Sequence, residues 1–389
     1  MRQLTETIAM QVRRFRIGPG RGSCAVFAFA LLIRLCLALS TYGKAPTASP
    51  AVQNQGSKAQ ASKAEDNRPT AAATSLTEDP ALGAARSFLD KGMPAEADHA
   101  VRQYLKTHPQ SADGHFLLGY ILFREIQVKA LLDAHSESAV YQTLSPAELQ
   151  FRNANAKASL AEFTVGARYQ RPSAFDLKVV ALDYVLLGDF MDADKWLTRS
   201  LQWDPKDSEG WYYLGRAKYN ENRFAEAVSA FDQCLKLDGH NAKAEDNLGL
   251  SYAGLGRNED ALAAYHIAIA WQLQTLKQDP EPFIDLGNLY LDLNQPEKAI
   301  SALLQSIRIS SQISRAHEQL GRAYLLVGQL PTAQGELEKA VILSPQTARL
   351  HYILGQIYRK EGLADKAKLE FDRCVELQRA HPSSESSTM

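Results

Sequence analysis

The sequence predicts an all-α solenoid, a superhelical stack of antiparallel helix pairs, and three observations predict it. A Leu-Gly pair recurs as Leu214-Gly215, Leu248-Gly249, Leu286-Gly287, Leu320-Gly321 and Leu354-Gly355. Twelve residues after each glycine stands an alanine: Ala227, Ala261, Ala299, Ala333 and Ala367. Four further on comes a large apolar residue, Phe231, Tyr265, Leu303, Leu337 or Phe371, and three beyond that a small one, Cys234, Ala268, Ser306, Ala340 or Cys374. The unit is 34 residues. Self-similarity at such a period marks stacked supersecondary units, each with one apolar face that only a neighbour can cover.

Before the stack lie two segments of different composition. Arg2, Arg13, Arg14, Arg16 and Arg21 precede an apolar run from Cys24 to Ser40, and a basic stretch followed by a short apolar one is the pattern of an export signal. As a helix the run would span roughly 25 Å, short of the roughly 30 Å hydrocarbon core, and it carries Arg34 near its middle. Residues 1–40 are therefore read as a signal peptide or membrane anchor, both being open. The excess of arginine before the run places the N-terminus in the cytoplasm and the body outside it, so an exported protein is expected, periplasmic or membrane-anchored, touching a membrane only through this segment. Residues 41–77 are rich in Ala, Ser, Thr, Gln and Pro and nearly devoid of large apolar side chains. Such a segment cannot bury enough surface to offset its ordering entropy and is expected to be a disordered tether.

From about Glu78 the periodicity is helical, and eight units fit, starting near Glu78, Ala112, Ala174, Ser208, Ala242, Pro280, Ser314 and Ala348. The pattern Trp211-x-x-Leu214-Gly215, then Ala227, Phe231 and Cys234, with Pro109, Pro205 and Pro345 ending units, resembles the tetratricopeptide repeat. The resemblance covers nearly four fifths of the chain, 78–381, and 382–389 reads as a frayed tail. Glycine at the eighth position lets the two helices of a unit approach, the small residue at the twentieth receives that approach, and an aromatic at the eleventh packs between them. Tyr184, Tyr252, Tyr290, Tyr324 and Tyr358 occupy the eleventh position. Departures are Ala181 for glycine in the third unit, Lys218 for tyrosine in the fourth, and a first unit that is poor throughout. The fifth unit is four residues too long around Trp271 to Lys277, which predicts a second helix longer by about one turn. The second unit holds 28 extra residues, 127–154. Within them Ser145-Pro146-Ala147-Glu148 is a capping box with proline at the first helical position. An elongated hairpin is expected, one helix from Ala112 to about Ala134 and the other on to about Tyr169, serving either as a tolerated insertion or as a partner-contact arm.

The composition narrows function. A net charge of −1 argues against nucleic-acid binding, which needs a surplus of Lys and Arg to displace counterions. No phosphate loop, zinc-helix or paired-cysteine motif is present, and no metal or other cofactor is expected. His115, His317 and His351 all fall at the fourth position of their units, where the fourth unit has Trp211, and so read as packing residues. Cys234 and Cys374 fall on the small-residue position and read as inert buried thiols. The resemblance implies that first helices line a concave groove. It gives as groove residues Phe116, Tyr120 and Phe123; Tyr212, Arg216, Tyr219 and Asn220; Asp246; Asn288; Glu318 and Arg322; and Tyr352, Gln356 and Arg359. Tyr and Arg dominate binding energy at interfaces. The family's Lys and Asn clamp for chaperone tails is absent, the fifth and ninth positions reading Tyr212 and Arg216, Asp246 and Leu250, then Ile284 and Asn288. The expected function is a non-catalytic scaffold that binds a peptide or partner helix of another protein. The alternative is a structural subunit of an envelope or secretion assembly, using its convex face and the 127–154 arm.

Overall fold

The computed structural model describes residues 79–133, 144–275 and 278–380. The expected export segment 1–40, the tether 41–77, the tail 382–389 and residues 134–143 of the inserted stretch lie outside the described residues. The described residues form sixteen helices in eight pairs. The first four units are α1 (Pro80–Asp90) with α2 (Pro94–Thr107), α3 (Ala112–Asp133) with α4 (Pro146–Gly166), α5 (Ala174–Leu187) with α6 (Phe190–Trp203), and α7 (Ser208–Asn220) with α8 (Phe224–Leu237). The last four are α9 (Ala242–Gly254) with α10 (Asn258–Gln272), α11 (Glu281–Asp292) with α12 (Pro296–Ile309), α13 (Ser314–Leu326) with α14 (Leu330–Leu343), and α15 (Ala348–Lys360) with α16 (Ala364–Ala380). The first unit, whose sequence departs furthest from the pattern, forms an ordinary pair closed over Leu82, Ala85, Leu89, Ala97 and Val101.

Each helix packs on the next in sequence, and from α1 to α13 each first helix also touches the first helix of the following unit. Among the described residues no pair of second helices packs comparably. First helices therefore line the inner, more tightly curved side of the stack. No described helix is long and apolar enough to cross a membrane.

The core is built where the repeat register puts it. Ala227, Ala261, Ala299 and Ala333 are fully buried, as are Phe231, Leu303 and Leu337. What rests on the eighth-position glycine is this large residue at the twenty-fourth position: a Cβ on Gly215 would lie 2.6 Å from the Phe231 ring, and one on Gly321 2.7 Å from Leu337. The twentieth position contributes its backbone, the Ala333 carbonyl lying 3.3 Å from the same hypothetical atom.

Two backbone devices recur in register. In the seven units whose turns lie among the described residues, the turn between helices passes through a left-handed residue at the fifteenth position: Gly92, Gly188, Asn222, Gly256, Asn294, Gly328 and Gly362. Glycine and asparagine tolerate that conformation. The next amide then closes the helix on the carbonyl at the eleventh position, as Arg257 does on Tyr252 at 2.9 Å and Leu363 on Tyr358 at 2.8 Å. At the junctions between units, Trp211 Nε1 donates to the Pro205 carbonyl at 3.0 Å. The histidines at that fourth position bridge further. His317 sets Nε2 3.0 Å from the Ser311 carbonyl and Nδ1 2.6 Å from Glu336. His351 does the same with Pro345 and Glu370, and His115 with Pro109 and Glu162. These residues are packed, as expected, but each also ties a unit's two helices to the preceding loop.

The departures have physical reasons. Lys218, in place of tyrosine, bridges Asp194 on α6 at 3.1 Å and Glu226 on α8 at 3.0 Å. The capping box at Ser145 forms as expected, with Glu148 returning to the Ser145 amide. The helix it starts ends at Gly166 rather than near Tyr169, because the amides of Tyr169 and Gln170 turn back onto the Gly166 carbonyl ahead of Pro172. The fifth unit corrects the expectation of a longer second helix. α10 stops at Gln272, and the additional residues enter the loop. The buried Gln272 side chain clips that loop, its Oε1 accepting from the Asp279 amide at 2.8 Å.

Cys234 and Cys374 are both buried, and burial pushes the Cys234 thiol up to about 11, which removes its nucleophilic form at neutral pH.

Candidate functional site

The inner side runs along α3, α5, α7, α9, α11, α13 and α15. At its N-terminal end Tyr120 lies edge-on to Phe175, centroids 5.1 Å apart. With Phe116 they line a cavity of about 690 Å³ whose polar lining includes Arg86, Arg124 and Arg171. Phe123 corrects the groove assignment: it is 6 % exposed and belongs to the core with Phe163, Val179 and Leu182. Val179 and Leu182 come from α5, the first helix of the next unit. Phe116 is likewise mostly core, stacked on Phe163 with centroids 6.0 Å apart.

In the fourth unit Tyr212 is half-buried, edge-on to Tyr213, with the Arg216 guanidinium 5.9 Å from its ring. Tyr219 leans on Phe224 at 5.5 Å. Asn220 is exposed but donates to the Arg216 carbonyl of its own helix at 2.8 Å. Asn288, half-buried, leaves Oδ1 without a hydrogen-bond partner. Further along, Arg322 is exposed and donates to Gln319 at 2.8 Å. Glu318 is buried and paired with Arg349. In the last unit Tyr352 and Arg359 converge on one ring, Phe371, at 5.9 and 5.8 Å, beside a half-buried Gln356. The inner side thus brings Tyr212, Arg216 and Tyr219 together on one helix, and Tyr352, Gln356 and Arg359 on another. Tyr120 stands apart in the N-terminal cavity.

Sequence reasoning missed the charges that join one first helix to the next. Lys178 on α5 reaches Asp207 and Glu209, both at 2.9 Å. Arg315 on α13 pairs with Glu281 and lies 3.5 Å from Asp285 on α11. The signal was available: opposite charges 31 to 34 residues apart, at the second position of one unit and the second or fifth of the unit before. Burial pushes the Asp285 carboxyl up to about 7 against the pull of Arg315. Asp246, on α9, is raised well above the carboxylate range, first by burial and then by the fields of Asp285, Asp279 and Glu281.

Family models of the tetratricopeptide repeat match residues 82–134, 208–241, 280–313 and 348–381, the last three in phase with the helix pairs. These stretches of the chain are tetratricopeptide repeats. A human protein named PEX5-related protein is 42% identical over 62 residues, which are 16% of this chain and 10% of that one. The match thus spans about a tenth of that relative's length. Among solved structures, the Cut9-Hcn1 hetero-tetramer of the APC/C is 16% identical over 80% of this chain and 62% of its own, with a TM-score of 0.50. PilW, a type IV pilus biogenesis factor, is 22% identical over 55% of this chain and 95% of its own, at 0.48. At 16% identity the first of these likenesses is one of fold alone.

Proposed function

We propose that this protein is a non-catalytic scaffold that holds an extended peptide or partner helix of another protein against its inner face, outside the cytoplasm. The observation that carries the reading is the set of half-buried and exposed aromatic and cationic side chains on three first helices, Tyr212, Arg216 and Tyr219 on α7, Arg322 on α13, and Tyr352 and Arg359 on α15. Aromatic rings already held at one edge lose little entropy on contact, and arginine supplies planar donors, which suits both to anchoring roles. The location rests on the arginine-flanked apolar run at 24–40.

Two measurements test this. Crosslinking in native envelopes, followed by identification of captured proteins, is to be compared between the wild type and a folded Tyr212→Ala, Arg216→Ala, Arg322→Ala, Tyr352→Ala variant. Loss of specific partners is the expected result. Persistence of the same partners would move recognition to the outer face or to the long α3–α4 hairpin, and favour a structural subunit of a larger assembly. A reporter joined after residue 77 is expected to be active outside the cytoplasm, and activity confined to the inside would overturn the location.

A further inference from the structure

Two pairs of adjacent units disclose a rule on the inner face. The side chain at the fifth position of one first helix faces the second position of the next. Lys178 on α5 meets Glu209 on α7 at 2.9 Å, and Glu318 on α13 meets Arg349 on α15. In both cases a charge that is 13 % or less exposed is matched by its opposite. Asp246 holds the same fifth position on α9, but the second position of α11 is Glu281, another acid. The expected cation is missing.

Its absence is felt. Asp246 is 5 % exposed, and its Oδ1 is buried without a hydrogen-bond partner. A buried carboxylate oxygen left unpaired costs its full desolvation. The charges that act on Asp246 are those of Asp285, Asp279 and Glu281 against one guanidinium, Arg315, and Arg315 is already engaged by Glu281 and Asp285. Asp246 lies within electrostatic reach of Tyr212 and Tyr219 on α7, two of the aromatic anchors of the groove. A metal ion is a poor match, because among the described residues no three carboxylate, histidine or cysteine side chains converge as ligands. What fits is a single positive charge on a slender stem with donors to share among carboxylates and ring faces close by.

We infer that the groove across α7, α9 and α11 takes a Lys or Arg side chain of the bound segment, with Asp246 as its counter-charge. This rests on the groove reading above and names the chemistry of its occupant. The incoming ammonium or guanidinium does for Asp246 what Arg349 does for Glu318.

The test uses the full chain, immobilised, and a positional-scanning pool of blocked ten-residue peptides. The expected result is enrichment of Lys or Arg at one peptide position, with affinity for those peptides falling at least tenfold in Asp246→Asn. That variant keeps the shape of the side chain and removes an uncompensated buried charge, so its unfolding midpoint should hold or rise while binding falls. A purely structural Asp246 would not give that opposition. If peptides are captured and lost in the Tyr212→Ala, Arg216→Ala variant, yet show no basic position or ignore Asp246→Asn, the counter-charge inference is overturned and the groove reading stands. No capture, or capture indifferent to every groove substitution, overturns both.

Discussion

Replacing Asp183 with Asn is expected to stabilise the protein at neutral and alkaline pH and to flatten its stability–pH profile. Asp183 lies on α5 with no exposure to solvent. One carboxyl oxygen is 2.5 Å from Ser159 Oγ on α4, and that hydroxyl is 2.9 Å from the Gly119 carbonyl on α3. Serine has one proton to give, and both neighbours accept when the carboxyl is ionised. The chain is satisfied when Asp183 is protonated and donates to Ser159, freeing the hydroxyl for Gly119. Burial pushes the Asp183 carboxyl up to about 8, the Ser159 hydrogen bond opposing it. A carboxyl raised in the folded state contributes stability that is whole below its unfolded pKa and is lost as pH climbs to the folded value. The wild type should therefore lose roughly 5–6 kcal/mol between about pH 4 and pH 8, at about 1.4 kcal/mol for each unit of difference. The side-chain amide of the Asp183→Asn variant donates at every pH and loses none of it. Urea midpoints of the two proteins at pH 5, 7 and 9 should diverge with rising pH. Parallel curves would show that Asp183 is ionised and solvated in the fold.

The second large effect concerns the glycine that lies under the twenty-fourth position. Gly215→Ala puts a methyl 2.6 Å from Cε1 of Phe231, a ring with no exposure and nowhere to retreat. Overpacking of this kind costs about 1–3 kcal/mol, and Phe231→Ala, which empties the space, about 3–5 kcal/mol. The two are opposite errors at one contact, so their combination should cost clearly less than their sum. Denaturant unfolding of the two single variants and the double variant measures the coupling. Strict additivity would mean that the ring and the glycine do not share the space.

The solenoid was legible because its signal repeats. Gly215, Ala227 and Phe231 each recur with the same spacing, and a period-34 pattern sets helix limits that one amphipathic stretch would leave loose. The left-handed fifteenth position was legible too, since glycine or asparagine stands there in seven units, although helical periodicity does not point to it. The candidate site was read less completely. Tyr212, Arg216 and Tyr219 follow from register within a single helix. The matching of Glu318 by Arg349, and the failure of Glu281 to match Asp246, depend on how one unit leans on the next, a property of the stack rather than of any unit. Phe123 was misplaced because register alone cannot show that Val179 and Leu182 of the next unit close over it. The Ser159–Asp183 pair, 24 residues apart across two units, carries no pattern to find.

The two irregular units show that the ends of a helix pair are not equivalent sites for growth. In the second unit the added length extends α3 and α4 to 22 and 21 residues at the end where one helix gives way to the other. Nothing downstream is displaced, because the points where the chain joins the neighbouring units stay where they were. In the fifth unit four residues fall at the opposite end, on the path to the next unit. A further helical turn there would carry the chain about 5 Å past its docking point, so the extra length is spooled into a clipped loop. Such a stack can lengthen freely outward at its turns while its joints hold a fixed length, which makes the turns the places where lineages of such proteins can acquire new surface without refashioning the old.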